Sequence, residues 1–179
     1  MNSILYTFSL FISCLALSIG VAHSEIKAPN YDFSLSLLDP FLPGKKSVEL
    51  LKDKAFSSEL FEDAGATKIY RFKLKKENYT LDIYAQIKKE DIVDVYVRLP
   101  QYFIHDKLLQ QLREKYQKHD RYVVKDKSAL YVWLNKDNSH IIYHGSCSIS
   151  CFPVFLEITS NDKSVEPIYK RLNNALPKL

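Results

Sequence analysis

The sequence predicts an α+β domain: an antiparallel sheet with helices packed on one face, in the order α-βββ-α-βββ(β)-α. Three observations carry that expectation. Strand-length segments alternate apolar and polar residues with period two through the middle of the chain. Amphipathic helical spacing appears before and between them. Tyr and Phe are abundant, 12 and 10, while Gly is scarce at 4. Aromatic and β-branched side chains fill half-buried pleated surfaces well, and such a composition argues against disorder.

From Ile4 to Val21 the chain is apolar or small and carries no charged residue. It exits at Ala22-His23-Ser24, small residues at the −3 and −1 positions before Glu25, the form a signal peptidase requires. Residues 1–24 therefore read as a cleavable signal peptide, with the mature chain beginning near Glu25. A lipid-modified Cys14 is disfavoured, because Phe11-Ile12-Ser13 fits a lipobox poorly. No membrane-spanning segment is expected after cleavage.

Residues 25–46, with Pro29, Pro40, Pro43 and Gly44, read as an irregular lead-in holding a short apolar patch, Phe33 to Leu38. Residues 47–179 read as one α+β domain. Ser47 can cap a helix through Val48, Leu51 and Ala55, and Ser57 or Ser58 a short second helix through Leu60 and Phe61, ended by Gly65. Three strands follow. Tyr70, Phe72 and Leu74 alternate with Arg71, Lys73 and Lys75; Leu81, Ile83, Ala85 and Ile87 alternate with Asp82, Tyr84, Gln86 and Lys88; Val93, Val95 and Val97 alternate with Asp94, Tyr96 and Arg98. One dry and one wet face is the mark of an antiparallel sheet covered on a single side.

After Pro100 a helix is expected over about 103–118, with Ile104, Leu108, Leu109, Leu112 and Tyr116 on one face. Strands resume near 122–125, 129–134, 140–144 and 154–159, and a short helix from Val165 to about Leu176 follows. A shift of 47 positions places Tyr84 on Tyr131, Ile87 on Leu134 and Tyr96 on Tyr143, consistent with either a degenerate tandem repeat or shared hairpin grammar. The element order is broadly similar to small envelope domains that set helices on a three-stranded meander, such as the BamE-like outer-membrane assembly lipoproteins and the tandem-repeat β-lactamase inhibitor proteins. That likeness is architectural, carries no shared motif, and assigns no family.

The net charge of +4 falls entirely after the signal and forms no concentrated basic stripe. With export, this excludes nucleic acid from the expected partners. The densest chemistry lies at His140-Ile-Ile-Tyr-His144-Gly-Ser-Cys147-Ser-Ile-Ser-Cys151. On a strand, positions four apart are ~13 Å apart, too far for His140 and His144 to share an ion. A bridge between Cys147 and Cys151 needs Cα atoms within ~7 Å, so it demands a turn between them. An exported pair this close is expected to form that disulfide. The alternative is a metal-binding or redox-active protein using His144, Cys147 and Cys151.

Ser146 or Cys147 beside His144 lacks an orienting carboxylate and a nucleophile elbow, so no catalytic residue and no cofactor are assigned. Tyr84, Tyr96, Tyr131, Trp133 and Tyr143 fall opposite the aliphatic positions. They form either a binding surface or, if covered, a second core. The function expected is an exported, non-enzymatic binding module for a protein or envelope component.

Overall fold

The structure, a computed structural model, describes residues 33–101 and 103–172. The expected signal peptide (1–24), Cys14, residues 25–32 of the lead-in and the end of the last expected helix lie outside them. The alternating segments form β1 (Ser57–Asp63), β2 (Thr67–Lys75), β3 (Thr80–Lys88), β4 (Asp91–Arg98), β5 (Arg121–Lys125), β6 (Ser128–Lys136), β7 (Ser139–Cys147) and β8 (Cys151–Ser160). All join one antiparallel sheet of 8 strands in the order β1-β2-β3-β4-β8-β7-β6-β5. Two meanders therefore meet along β4 and β8, with Tyr96 opposite Glu157.

Helices are few and small among the described residues: a 3-10 helix at Leu35–Phe41, α1 (Ser47–Lys52), α2 (His105–Tyr116) and α3 (Ile168–Leu172). Strands hold 48% of the described chain and helices 22%, which overturns the expected α+β class. The protein is in essence a β-sheet protein with helical accessories. The expected helix at Ser57–Phe61 is edge strand β1 instead. A helix that short cannot offset its nucleation cost, whereas β2 satisfies the same backbone groups along a ladder from Ser57↔Lys73 to Asp63↔Lys68. Gly65, at φ +73, serves the β1–β2 turn and not a helix end.

The 47-residue shift pairs strands that are not equivalent. Tyr84 and Tyr131 lie on β3 and β6, and Tyr96 and Tyr143 on β4 and β7, at different places in their meanders. Each meander has four strands and follows a helix, so β3 corresponds to β7 and β4 to β8.

The larger core lies on the face carrying α2. Leu108, Leu109, Leu112 and Tyr116 of α2 and Leu35, Leu38 and Phe41 of the 3-10 helix are buried with Phe72, Ile83, Val95, Leu156, Ile141 and Trp133 of the sheet. The opposite face is not uniformly wet. Beneath α3, Ile69, Tyr96, Phe155 and Ile168 form a second core. β4 is buried from Ile92 to Val97 on consecutive positions, so the central strands are covered on both sides. That correction follows from α3, whose Ile168, Tyr169 and Leu172 lie across the central strands and exclude water from that part of the second face.

Candidate functional site

The five aromatic residues expected to form one surface are divided between the two faces. Tyr131, Trp133 and Tyr143 point into the α2-side core, while Tyr96 packs in the α3-side core with half-buried Tyr84 against it. Trp133 and Tyr143 have no exposed area, and Trp133 Nε1–H donates to the Gln117 carbonyl at 2.8 Å. These side chains do not form an accessible row, and the covered-core alternative describes four of the five. Alternation alone does not place them because β6 and β7 carry apolar residues at both sets of positions, Leu130 and Val132 beside Tyr131 and Trp133, and Ile142 beside Ile141 and Tyr143, so the period does not say which set faces α2.

The cysteines do what their spacing demanded. Cys147 ends β7, Cys151 begins β8, and their disulfide closes the hairpin with Cα atoms 4.0 Å apart. Pro153 is accommodated within β8 beside the bulge at His144/Gly145. His144 is buried against Phe155, ring centroids 5.1 Å apart, and burial pushes its pKa down. Both sulfurs of the cluster His144, Cys147 and Cys151 are engaged in the disulfide, and among the described residues no three His, Cys, Asp or Glu converge as a metal-ligand set.

What the hairpin does build is a cleft. Its tip stands opposite the start of α2, and a cavity of about 520 Å³ lies between them, lined by Phe103, Ile104, His105, Asp106, Ile149 and Phe152 among others. Ile149 is 103% exposed, Phe152 45% and Ile104 39%. Large apolar side chains held together in water at one end of a molecule mark a contact surface more often than chance exposure. The disulfide fixes the outer wall, since Ser148–Ser150 span only the three positions between bonded cysteines.

The inner wall is fixed by His105. Its Nδ1 lies 2.8 Å from the Tyr143 hydroxyl, and its ring stacks on Tyr143 at 5.5 Å. Burial pushes the His105 pKa down, so the neutral imidazole is favoured, and burial pushes the Tyr143 phenol up. Gly145 makes that approach feasible: a Cβ there would sit 3.3 Å from His105 Nδ1. The chain has no match among family models, curated proteins or solved structures. The site must be read from its own chemistry.

A second polar feature lies beneath α3 and escaped the sequence reading. Asp94 and Glu157 are fully buried, and each carboxyl accepts a backbone N–H: Ile168 N–H to Asp94 Oδ2 at 2.7 Å and Tyr169 N–H to Glu157 Oε1 at 2.9 Å. Asp94 Oδ1 and Glu157 Oε2 have no hydrogen-bond partner among the described residues. Burial raises both pKa values, the more so for Glu157 because the Asp94 carboxyl lies beside it, so the protonated, neutral forms are favoured. The pair pins the C-terminal segment to the sheet. A signal existed in the sequence: Glu157 interrupts the apolar run Val154-Phe155-Leu156 and Ile158.

Proposed function

We propose that this chain is an exported, non-enzymatic interaction module that engages a protein or envelope component through the disulfide-tipped end of its sheet. The observation that carries the reading is the fully exposed Ile149, grouped with Phe152 and Ile104 around the cleft and held there by Cys147–Cys151. A disulfide is compatible with an oxidising compartment outside the cytosol. Among the described residues no helix is long and apolar enough to cross a membrane.

The cleft suits an apolar anchor from a partner. Phe103, Ile104, Ile149 and Phe152 supply contact area, and Asp106 supplies a charge at its rim. Nothing in it amounts to an activated nucleophile or a paired acid and base, because His105 is committed to Tyr143. The test is capture by crosslinking from an extract of the source cell envelope. Ile149→Ser and Phe152→Ser together should abolish a specific crosslinked species while leaving the circular dichroism spectrum unchanged. Retention of the same species by that variant overturns the reading.

A further inference from the structure

The sheet ends in two edge strands of opposite character. At one end β5, Arg121-Tyr-Val-Val-Lys125, is exposed at every position, with Tyr122, Val123 and Val124 each at least half exposed. At the other, β1 presents Glu59, Leu60, Phe61, Glu62 and Asp63, with Leu60 and Phe61 among the exposed large apolar residues. Among the described residues neither outer edge has a strand partner. An open edge with exposed apolar residues is a template for further pairing.

We propose that copies of this chain associate head to tail, β5 of one copy adding to β1 of the next, so that the sheet continues across the interface. Direction permits it. Every neighbouring pair is antiparallel and the strands number 8, so β1 and β5 run in opposite directions. A second copy placed beyond β5 in the same sense therefore meets it antiparallel, with matching sheet faces outward.

Side-chain facing permits it as well. Tyr122 and Val124 share the α2 face with their β6 partners Tyr131 and Ala129, leaving Arg121, Val123 and Lys125 on the other face. On β1, Leu60 shares the α2 face with Tyr70, while Glu59 lies with Arg71 and Phe61 with Tyr84 on the other. The bulge between Leu60 and Glu62 puts Glu62 on the same side as Phe61. Setting Val124 opposite Leu60 of the next copy then brings Val123 beside Phe61, Lys125 opposite Glu59 and Arg121 diagonal to Glu62. Each pair lies on one face. Apolar residues meet in the middle and opposite charges at the ends.

The charges also reject the symmetric alternative. Two β5 strands paired about Val123 would set Arg121 against Lys125 in both directions, like charge against like. On β5, Arg121 and Lys125 have no ion-pair partner among the described residues. On β1 the Glu59 pair with Arg71 engages only Oε1, and the Glu62 pair with Arg171 only Oε1. An interface between different strands of identical copies is heterologous, and it generates a ring or an open filament rather than a closed pair.

Light scattering on the purified protein over a range of concentrations tests this. The wild type should grow beyond a dimer as concentration rises and should dissociate in high salt. Lys125→Glu should weaken association at least about tenfold, and so should Glu59→Lys. Mixing the two variants restores opposite charges at both kinds of junction, and assembly should return. Circular dichroism checks that each variant remains folded. A wild type that stays monomeric or stops at a dimer overturns the proposal. So does a charge variant that assembles like wild type, or a mixture that stays monomeric.

Discussion

Glu157 and Asp94 face each other beneath the first residues of α3, two buried carboxyls that together hold Ile168 and Tyr169 by their backbone N–H groups. Burial pushes Asp94 up to about 7 from its ordinary 3.8, and pushes Glu157 well above 4.5. The folded state therefore keeps protons that the unfolded chain releases. Stability is full below about pH 4 and falls as pH rises through Asp94's value of about 7, with Glu157 adding to the loss as pH climbs above its ordinary value, in total on the order of a few kcal/mol. Asp94→Asn keeps an oxygen for Ile168 N–H and removes the charge. Denaturant titration at pH 4 and pH 8 should show this variant losing less stability between the two than the wild type.

The His105–Tyr143 contact ties α2 to the middle of β7, and it sets the inner wall of the cleft. Tyr143→Phe removes the hydroxyl and leaves His105 Nδ1 buried without its partner. The expected cost is about 1–3 kcal/mol of unfolding free energy. His105→Phe removes both polar groups' dependence on one another only on the helix side and should cost a similar amount through the orphaned hydroxyl. Urea midpoints of the two variants check this.

Trp133 is the single tryptophan of the chain, fully buried and donating to the carbonyl of Gln117 just beyond α2. Trp133→Ala should cost about 3–5 kcal/mol, the range for emptying a large aromatic site. Tryptophan emission of the wild type should shift to the red on unfolding, in step with the loss of circular dichroism. A Trp133→Ala variant as stable as wild type contradicts the burial described above.

The disulfide closes a very short loop, so its effect on the unfolded chain is modest. With a sequence separation of 4, its reduction should lower stability by about 2 kcal/mol. Its larger consequence is local. Cys147→Ser with Cys151→Ser should increase hydrogen exchange at residues 148–150 and weaken partner capture at the cleft, with the β4–β8 ladder still protected.

Much of the strand framework was legible because alternation is a local property. The segments at 70–75, 122–125, 129–134 and 140–144 carry their period in adjacent residues, and all lie within observed strands. Local turn chemistry agrees: Asp137 and Asn138 take φ of 49° and 60° between β6 and β7, a conformation those residue types tolerate. The helix expected at 57–61 failed because a short Ser-Ser-Glu-Leu-Phe segment is locally ambiguous, and β2 resolves it from outside. The cleft could not be read at all, since Ile104 and Ile149 are far apart in sequence and meet only through the hairpin's placement.

The demand that Cys147 and Cys151 meet across a turn, the aliphatic stripe of α2 and most of the strands can be read from the residues alone. Each follows from covalent reach or from a period of a few residues. Long-range strand pairing is what makes one wide sheet, not a helix layer, dominate the fold. The tertiary structure also divides Tyr84 and Tyr96 from Tyr131, Trp133 and Tyr143. Which face of a strand becomes interior depends on what crosses the sheet, and α3 reaches Asp94 and Glu157 from far along the chain. Pairing partners, and the edges left without one, are properties of the assembled sheet.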